Sequence, residues 1–231
     1  MLAFLSILYS DKEMDEETLF EIEWKYLPLL NEYYDAKPEL LERRLSTDPD
    51  FFIKVVRLVY RPKDQTEEEH GYSEERVDDS KSRALWNLLN TWKIVPGITD
   101  DGSFNVGTFK EWLEKVSNEA RESGHSEVAM LYVGRILLYT PPDSSGLWIN
   151  LDVAEILDKP ENEQIRQGYV LEILDSEGVR EYDPSGKYER ERAEFWRNRA
   201  KELKEHGLLL FAEALEDAAR RYELEGNMDD L

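Results

Sequence analysis

The sequence predicts an all-α fold: an irregular multi-helical bundle or a HEAT- or TPR-like helical array of about ten helices. Three observations carry that prediction. Apolar residues recur at helical spacing in nearly every ordered-looking segment. Pro, Gly, Asn and Asp punctuate those segments where helix caps and joints belong. In a chain of 231 residues, 41% hydrophobic and 11% aromatic content supplies enough apolar surface for a packed core.

The opening MLAFLSILYSDKEMDEE has no basic stretch before its apolar run and no small-residue cleavage site, so it reads as a first packed helix and not a signal peptide. In DEETLFEIEWKYLPLLNEYY, Leu19, Ile22, Tyr26, Leu29, Leu30 and Tyr33 share one face, and Pro28 is expected to kink or split the helix. KPELLERRL places Pro38 in a first turn. In DPDFFIKVVRLVYRP, Asp48 is the expected N-cap, Pro49 the first helical residue, and Phe52, Val55, Val56 and Val59 the apolar stripe.

Residues 61–80, RPKDQTEEEHGYSEERVDDS, hold eight acidic and three basic side chains and almost nothing apolar, which predicts an exposed acidic loop. That composition shift sets the expected organisation: an N-terminal helical lobe at 1–62, an acidic loop at 63–80, and a C-terminal helical lobe at 81–231, the lobes able to pack as one domain. SKSRALWNLLNTWK then carries a stripe of Leu85, Leu88, Leu89 and Trp92, and the helix near 107–123 one of Phe109, Trp112, Leu113 and Val116.

SEVAMLYVGRILLYT is apolar and capped, so its length argues for a central buried helix. Asn150 caps a short helix, NLDVAEIL. ENEQIRQGYVLEILDSEG reads as a helix, although its second half, GYVLEIL, is the best strand candidate in the chain. ERERAEFWRNRAKELKEHG and LLLFAEALEDAARRYELEG meet at Gly207 as an antiparallel helical hairpin.

The charge narrows the function. With 51 acidic and 29 basic residues the net charge is −22, which repels nucleic acid and anionic membranes unless a basic patch is set apart. Arg43-Arg44 is short, and Arg190 and Arg192 are interleaved with glutamates, so neither partner is expected. Without cysteine there is no disulfide and no thiolate metal site. No apolar run reaches membrane length, and a cytoplasmic protein is the expectation. His70, His125 and His206 lack a metal-ligand spacing. Asp100-Asp101-Gly102-Ser103 lacks the alternating oxygen ligands and closing glutamate of a calcium loop. There is no nucleophile elbow, phosphate loop or dinucleotide fingerprint. No catalytic, cofactor-binding or metal-ligating residue is assigned, and no cofactor is expected.

What remains is recognition. TWKIVPGITDDGSFN reads as a pinned loop, with a Pro96-Gly97 turn and a second turn at Asp100–Gly102 that presents Asp100 and Asp101. Five tryptophans, Trp24, Trp86, Trp92, Trp112 and Trp196, fall on or near apolar stripes and read as core. Trp148 lies in a loop, TPPDSSGLWIN, and either plugs a gap or anchors a partner. Candidate partner contacts are therefore Asp100, Asp101 and Trp148, with Glu67, Glu68 and Glu69 of the acidic loop.

EWKYLPLL, DPDFFIKVVRLVYRP, TWKIVPGITDDGSFN and TPPDSSGLW, in that order, resemble the C-terminal helical region of large uncharacterised multidomain bacterial proteins, some of them NTPase- or defence-type. The resemblance covers residues 17–225. It implies a module of a longer chain with a scaffolding, sensing or autoinhibitory role, and it transfers no catalytic residue. The more acidic insert around EEEHGYSEE departs from the pattern. The leading expectation is a non-catalytic interaction module, or other domains' scaffold, with an acidic surface that steers a basic protein partner. The alternatives are a carboxylate-based, metal-dependent hydrolase in a helical cleft and, last, a DNA mimic.

Overall fold

A computed structural model describes residues 15–33, 38–60, 79–176 and 186–228. The described residues form ten α-helices and no strand. They are α1 (Glu16–Tyr33), α2 (Glu39–Thr47), α3 (Pro49–Val59), α4 (Asp79–Thr91), α5 (Val106–Glu122), α6 (Ser126–Leu137), α7 (Leu151–Leu157), α8 (Glu163–Ser176), α9 (Lys187–Glu205) and α10 (Leu209–Met228), with a 3-10 turn at Pro160–Asn162. The chain divides into two compact units, Met1–Pro96 with Glu111–His125, and Gly97–Lys110 with Ser126–Leu231. The opening helix expected before residue 15, and residues 63–78 of the acidic segment, lie outside the described residues.

In the first unit, α1 begins where Asp15 accepts hydrogen bonds from the Thr18 backbone (2.9 Å) and hydroxyl (2.8 Å). It runs unbroken through Pro28, so the expected split does not occur. Leu27 and Leu30, on either side of that proline, are fully buried and hold the turn in place. α2 begins after Pro38, which has no side chain to cap it. The buried Glu23 of α1 supplies the acceptor instead, taking the Leu41 N–H at 3.0 Å. A carboxylate at a helix N-terminus both satisfies an orphan donor and complements the helix dipole.

α3 starts as its sequence predicts. Asp48 accepts the Phe51 N–H at 3.1 Å, and Pro49 is the first helical residue. Its buried face, including Phe52, Val55 and Val56, meets an aromatic cluster in which Phe52 lies 5.4 Å from both Trp92 and Trp112. The Trp92 indole N–H donates to Ser46 Oγ (2.9 Å), which donates to the Ile94 carbonyl (2.6 Å). A large buried aromatic thus has its one polar atom satisfied.

In the second unit, α6 and α8 cross in backbone contact. A Cβ on Gly134 would collide with the Ile165 carbonyl, and one on Gly168 with the Leu131 carbonyl. GYVLEIL, the best strand candidate in the chain, is the second half of a continuous helix, as the helical reading of the segment expected. Gly168 sits inside that helix because the partner helix occupies the space a side chain would need. A glycine that weakens the isolated helix permits the close crossing. α9 and α10 form the expected hairpin, turning at Gly207, where the Leu208 N–H reaches back to the Leu203 carbonyl at 3.0 Å. Small buried residues, Ala193 and Ala200 on α9 and Ala212 and Ala219 on α10, lie along the buried faces of the pair. Ion pairs Lys204–Glu216 (2.7 Å) and Arg197–Glu223 fix its edges. Asp158, just past α7, accepts the Phe211 N–H at 3.0 Å and caps α10 from 53 residues away.

Candidate interaction surfaces

The loop from Gly97 to Asn105 is a miniature hairpin. Ile98 and Phe104 form an isolated antiparallel bridge, the Asn105 N–H donates to the Gly97 carbonyl at 2.9 Å, and the Thr99 N–H to the Ser103 carbonyl at 2.9 Å. Gly97 has φ of +85°, and a Cβ there would press against the Asn105 carbonyl oxygen at 2.8 Å, so only glycine fits. Asn105 Oδ1 then accepts the Thr108 N–H (3.0 Å) and starts α5. Ile98 and Phe104 are half-buried, so the loop is pinned more by hydrogen bonds than by burial.

The two carboxylates at the tip differ sharply. Asp101 Oδ1 accepts from the Thr99 hydroxyl (2.5 Å), the Ser103 hydroxyl (2.8 Å) and the Ser103 N–H (3.1 Å). Those bonds, the Thr99 hydroxyl foremost, lower its pKa to about 2. Asp101 is therefore the brace of the turn. Asp100 is exposed and, among the described residues, has neither a hydrogen-bond nor an ion-pair partner.

Trp148 packs inside the second unit, edge-on to Trp196 (centroids 5.9 Å) and tilted on Phe211 (6.3 Å). Asp143 ties down the loop that carries it, accepting from Ser145 N (2.8 Å) and Leu151 N (2.6 Å). Asn150 caps α7 as predicted, accepting from Asp152 N and Val153 N. Trp148 plugs a gap between helices and leaves part of its ring accessible. Glu67, Glu68 and Glu69 lie outside the described residues.

The tryptophans do not behave alike. Trp92, Trp112 and Trp196 are core. Trp24 is half-buried, with the Lys81 ammonium 4.1 Å and the Lys54 ammonium 4.8 Å from its ring centroid. Trp86 corrects the expectation of a core residue, being 48% exposed. One position past Leu85 turns it about 100° off the buried stripe of Leu85, Leu88 and Leu89.

Among the described residues no group of three or more His, Cys, Asp or Glu side chains could hold a metal ion. His125 instead contacts the Tyr60 carbonyl through Nε2 at 3.2 Å. The buried Glu172 carboxylate is bonded to Arg135 Nε (2.6 Å) and to the Tyr139 hydroxyl (2.6 Å). Burial, and then that hydrogen bond, raise the Tyr139 pKa well above the phenol range. A shallow depression of about 160 Å³ beside α1 and α2 is lined by Arg43, Arg44, Glu16 and Glu17, which pair with one another across it. No helix among the described residues is long and apolar enough to cross a membrane.

One surface was missed in the sequence. Along α9, Tyr188, Arg192, Phe195 and Arg199 alternate aromatic and guanidinium groups. Arg192 donates to the Tyr188 hydroxyl (3.2 Å), and its guanidinium carbon lies 5.3 Å from the Phe195 centroid. That of Arg199 lies 5.1 Å from Phe195 and 5.6 Å from Trp148. Spacings of four, three and four residues put all four side chains on one helix face. The signal was legible, but the interleaved glutamates hid it.

No family model matches the chain, and neither a curated protein nor a solved structure matches it.

Proposed function

We propose that this chain is a non-catalytic helical interaction module whose acidic surface steers a basic protein partner. The division of labour at the Thr99–Ser103 turn carries the reading. Asp101 is committed to bracing the loop, and this leaves Asp100 as an exposed carboxylate, without a partner among the described residues, on a preorganised tip. A tip that is already ordered loses little conformational entropy on binding. The net charge of −22 supplies the long-range field that accelerates encounter with a basic surface. Glu172, the most deeply buried carboxylate among the described residues of the second unit, is engaged by Arg135 and Tyr139, an arrangement that favours a structural role over proton transfer to a substrate.

The test is affinity capture with the wild-type chain and with Asp100→Lys, each at low and high salt. A basic protein retained by the wild type at low salt, and lost both at high salt and with Asp100→Lys, supports the reading. A partner retained equally under all conditions removes both the steering and the assigned tip.

A further inference from the structure

We propose that the Asp101–Gly102 bond is a latent site of isoaspartate formation, kept silent by the Thr99 and Ser103 hydroxyls that grip the Asp101 side chain. The inference stands on the geometry of the loop and does not depend on Asp100 meeting a partner.

Asp101–Gly102 is the one step in the sequence where an aspartate or asparagine precedes a glycine. Glycine has no Cβ to shield its own nitrogen. The chemistry needs no reagent but water. The Gly102 nitrogen attacks Asp101 Cγ and an N–C bond forms, while the amide proton and the carboxyl hydroxyl leave as water. The cyclic imide then takes water back. Opening at the former backbone carbonyl of Asp101 breaks its bond to the Gly102 nitrogen and leaves the main chain running through the side-chain carbonyl, one methylene longer.

The tip offers solvent and room for this ring. Asp101 and Gly102 are exposed, Gly102 has φ of +81°, and a Cβ placed on it would meet nothing within 4 Å. Three contacts oppose closure. Asp101 Oδ1 is fixed across the turn by the Thr99 hydroxyl (2.5 Å), the Ser103 hydroxyl (2.8 Å) and the Ser103 N–H (3.1 Å). Cγ is therefore not free to swing back over its own peptide to the near-attack separation of about 3 Å. The Gly102 N–H is itself engaged, donating to the Thr99 carbonyl at 2.9 Å. The reactive form of the carboxyl is the neutral acid, and a group held at about 2 instead of 3.8 is neutral roughly fiftyfold less often above about pH 5. Isomerisation would undo the turn that prevents it. The extra methylene falls between Thr99 and Ser103, whose backbone groups close the turn at 2.9 Å, and the new carboxylate leaves the hydroxyls.

The experiment incubates the folded chain and the free peptide ITDDGSFN in the same mildly acidic buffer. Isoaspartate at residue 101 is measured after proteolysis by chromatography and mass spectrometry against synthetic aspartyl and isoaspartyl standards. The peptide is expected to convert at least about tenfold faster than the wild-type chain. Thr99→Val and Ser103→Ala should each accelerate conversion in the chain, and the double variant should approach the peptide. Circular dichroism checks that each variant is folded, and the single variants keep the test intact if the double variant unfolds. Asn105→Ala removes the acceptor of the Thr108 N–H without touching the bonds of Asp101, and it should convert at the wild-type rate. The proposal is overturned by a wild-type chain that converts as fast as the peptide, by folded hydroxyl variants no faster than wild type, or by Asn105→Ala matching them.

Discussion

Gly134 and Gly168 form a reciprocal contact: each faces the other's helix at a point where the opposing backbone carbonyl leaves no room for a methyl group. Helix propensity alone would make alanine the better residue at both positions, by about 1 kcal/mol. The crossing reverses that sign. Gly134→Ala and Gly168→Ala are each expected to destabilise the second unit by about 3 kcal/mol, because backbone on both sides must move. Thermal unfolding of the two variants checks this. A gain in stability from either would mean that the helices do not touch there.

The Thr99–Ser103 turn has an acid limit. Asp101 is depressed from the ordinary carboxylate value to about 2, first by the Thr99 hydroxyl and then by Ser103. A carboxyl group whose folded pKa lies below its unfolded value contributes stability above the unfolded value, about pH 4, and loses it as the pH falls towards 2. The loop amides are expected to lose protection across that window. Asp101→Asn should remove the pH dependence while leaving the chain folded. An NMR titration of the carboxyl carbon, compared with the neighbouring Asp100, reads it directly.

Tyr139 sets an alkaline limit at another place. Burial and the hydrogen bond to Glu172 raise its pKa above the usual phenol value, so its contribution is complete below about pH 10 and declines as the pH rises further. Tyrosinate absorbance is expected to show the same amplitude near pH 10 in wild type and Tyr139→Phe, with only the later component missing from the variant. In the same network, Arg135→Met strands the buried Glu172 carboxylate and should cost about 3 kcal/mol in chemical denaturation.

Asp158 is expected to act as a remote helix cap. Its removal in Asp158→Ala leaves the Phe211 N–H without its acceptor and should cost about 1 kcal/mol, with Asp158→Asn close to wild type. Urea unfolding of the three proteins gives the ordering. Equal midpoints for the alanine and wild-type chains would show that the N–H finds another acceptor.

Trp86 and Trp92 should respond oppositely to substitution. Trp86→Gln removes an exposed ring and is expected to change stability by no more than about 0.5 kcal/mol. Trp92→Ala opens the Phe52–Trp112 cluster and should cost about 4 kcal/mol. Thermal midpoints discriminate the two.

Local chemistry made much of this fold legible. Asp48 with Pro49, and Asn150 ahead of α7, cap helices through neighbours a few residues away, and those relationships are written in short stretches of sequence. The apolar stripes of α3 and α5 were read the same way. What the sequence did not show is why certain residues sit where they do, because there a distant partner decides. Gly168 resides in a helix because α6 passes against it, and Glu23 is buried because α2, 18 residues on, needs an acceptor. The candidate contacts divide for the same reason. The sequence placed Asp100 and Asp101 together on a turn, but the hydroxyls that separate their roles show only in three dimensions. The face shared by Arg192, Phe195 and Arg199 was available from spacing, and the surrounding glutamates obscured it.

The discontinuity of the first unit has a consequence for how the polypeptide matures during translation. Its Phe52 and Trp92 side chains emerge early, but the Trp112 and Val116 side chains of the same core belong to Glu111–His125. The nascent chain must therefore hold an incomplete, aromatic-rich surface until the ribosome has delivered the later segment, and that segment arrives only after Gly97–Lys110, which belongs to the other unit. Fragments cut at Pro96 would retain that sticky state permanently, and a pause in synthesis there would prolong exposure to chaperones and proteases.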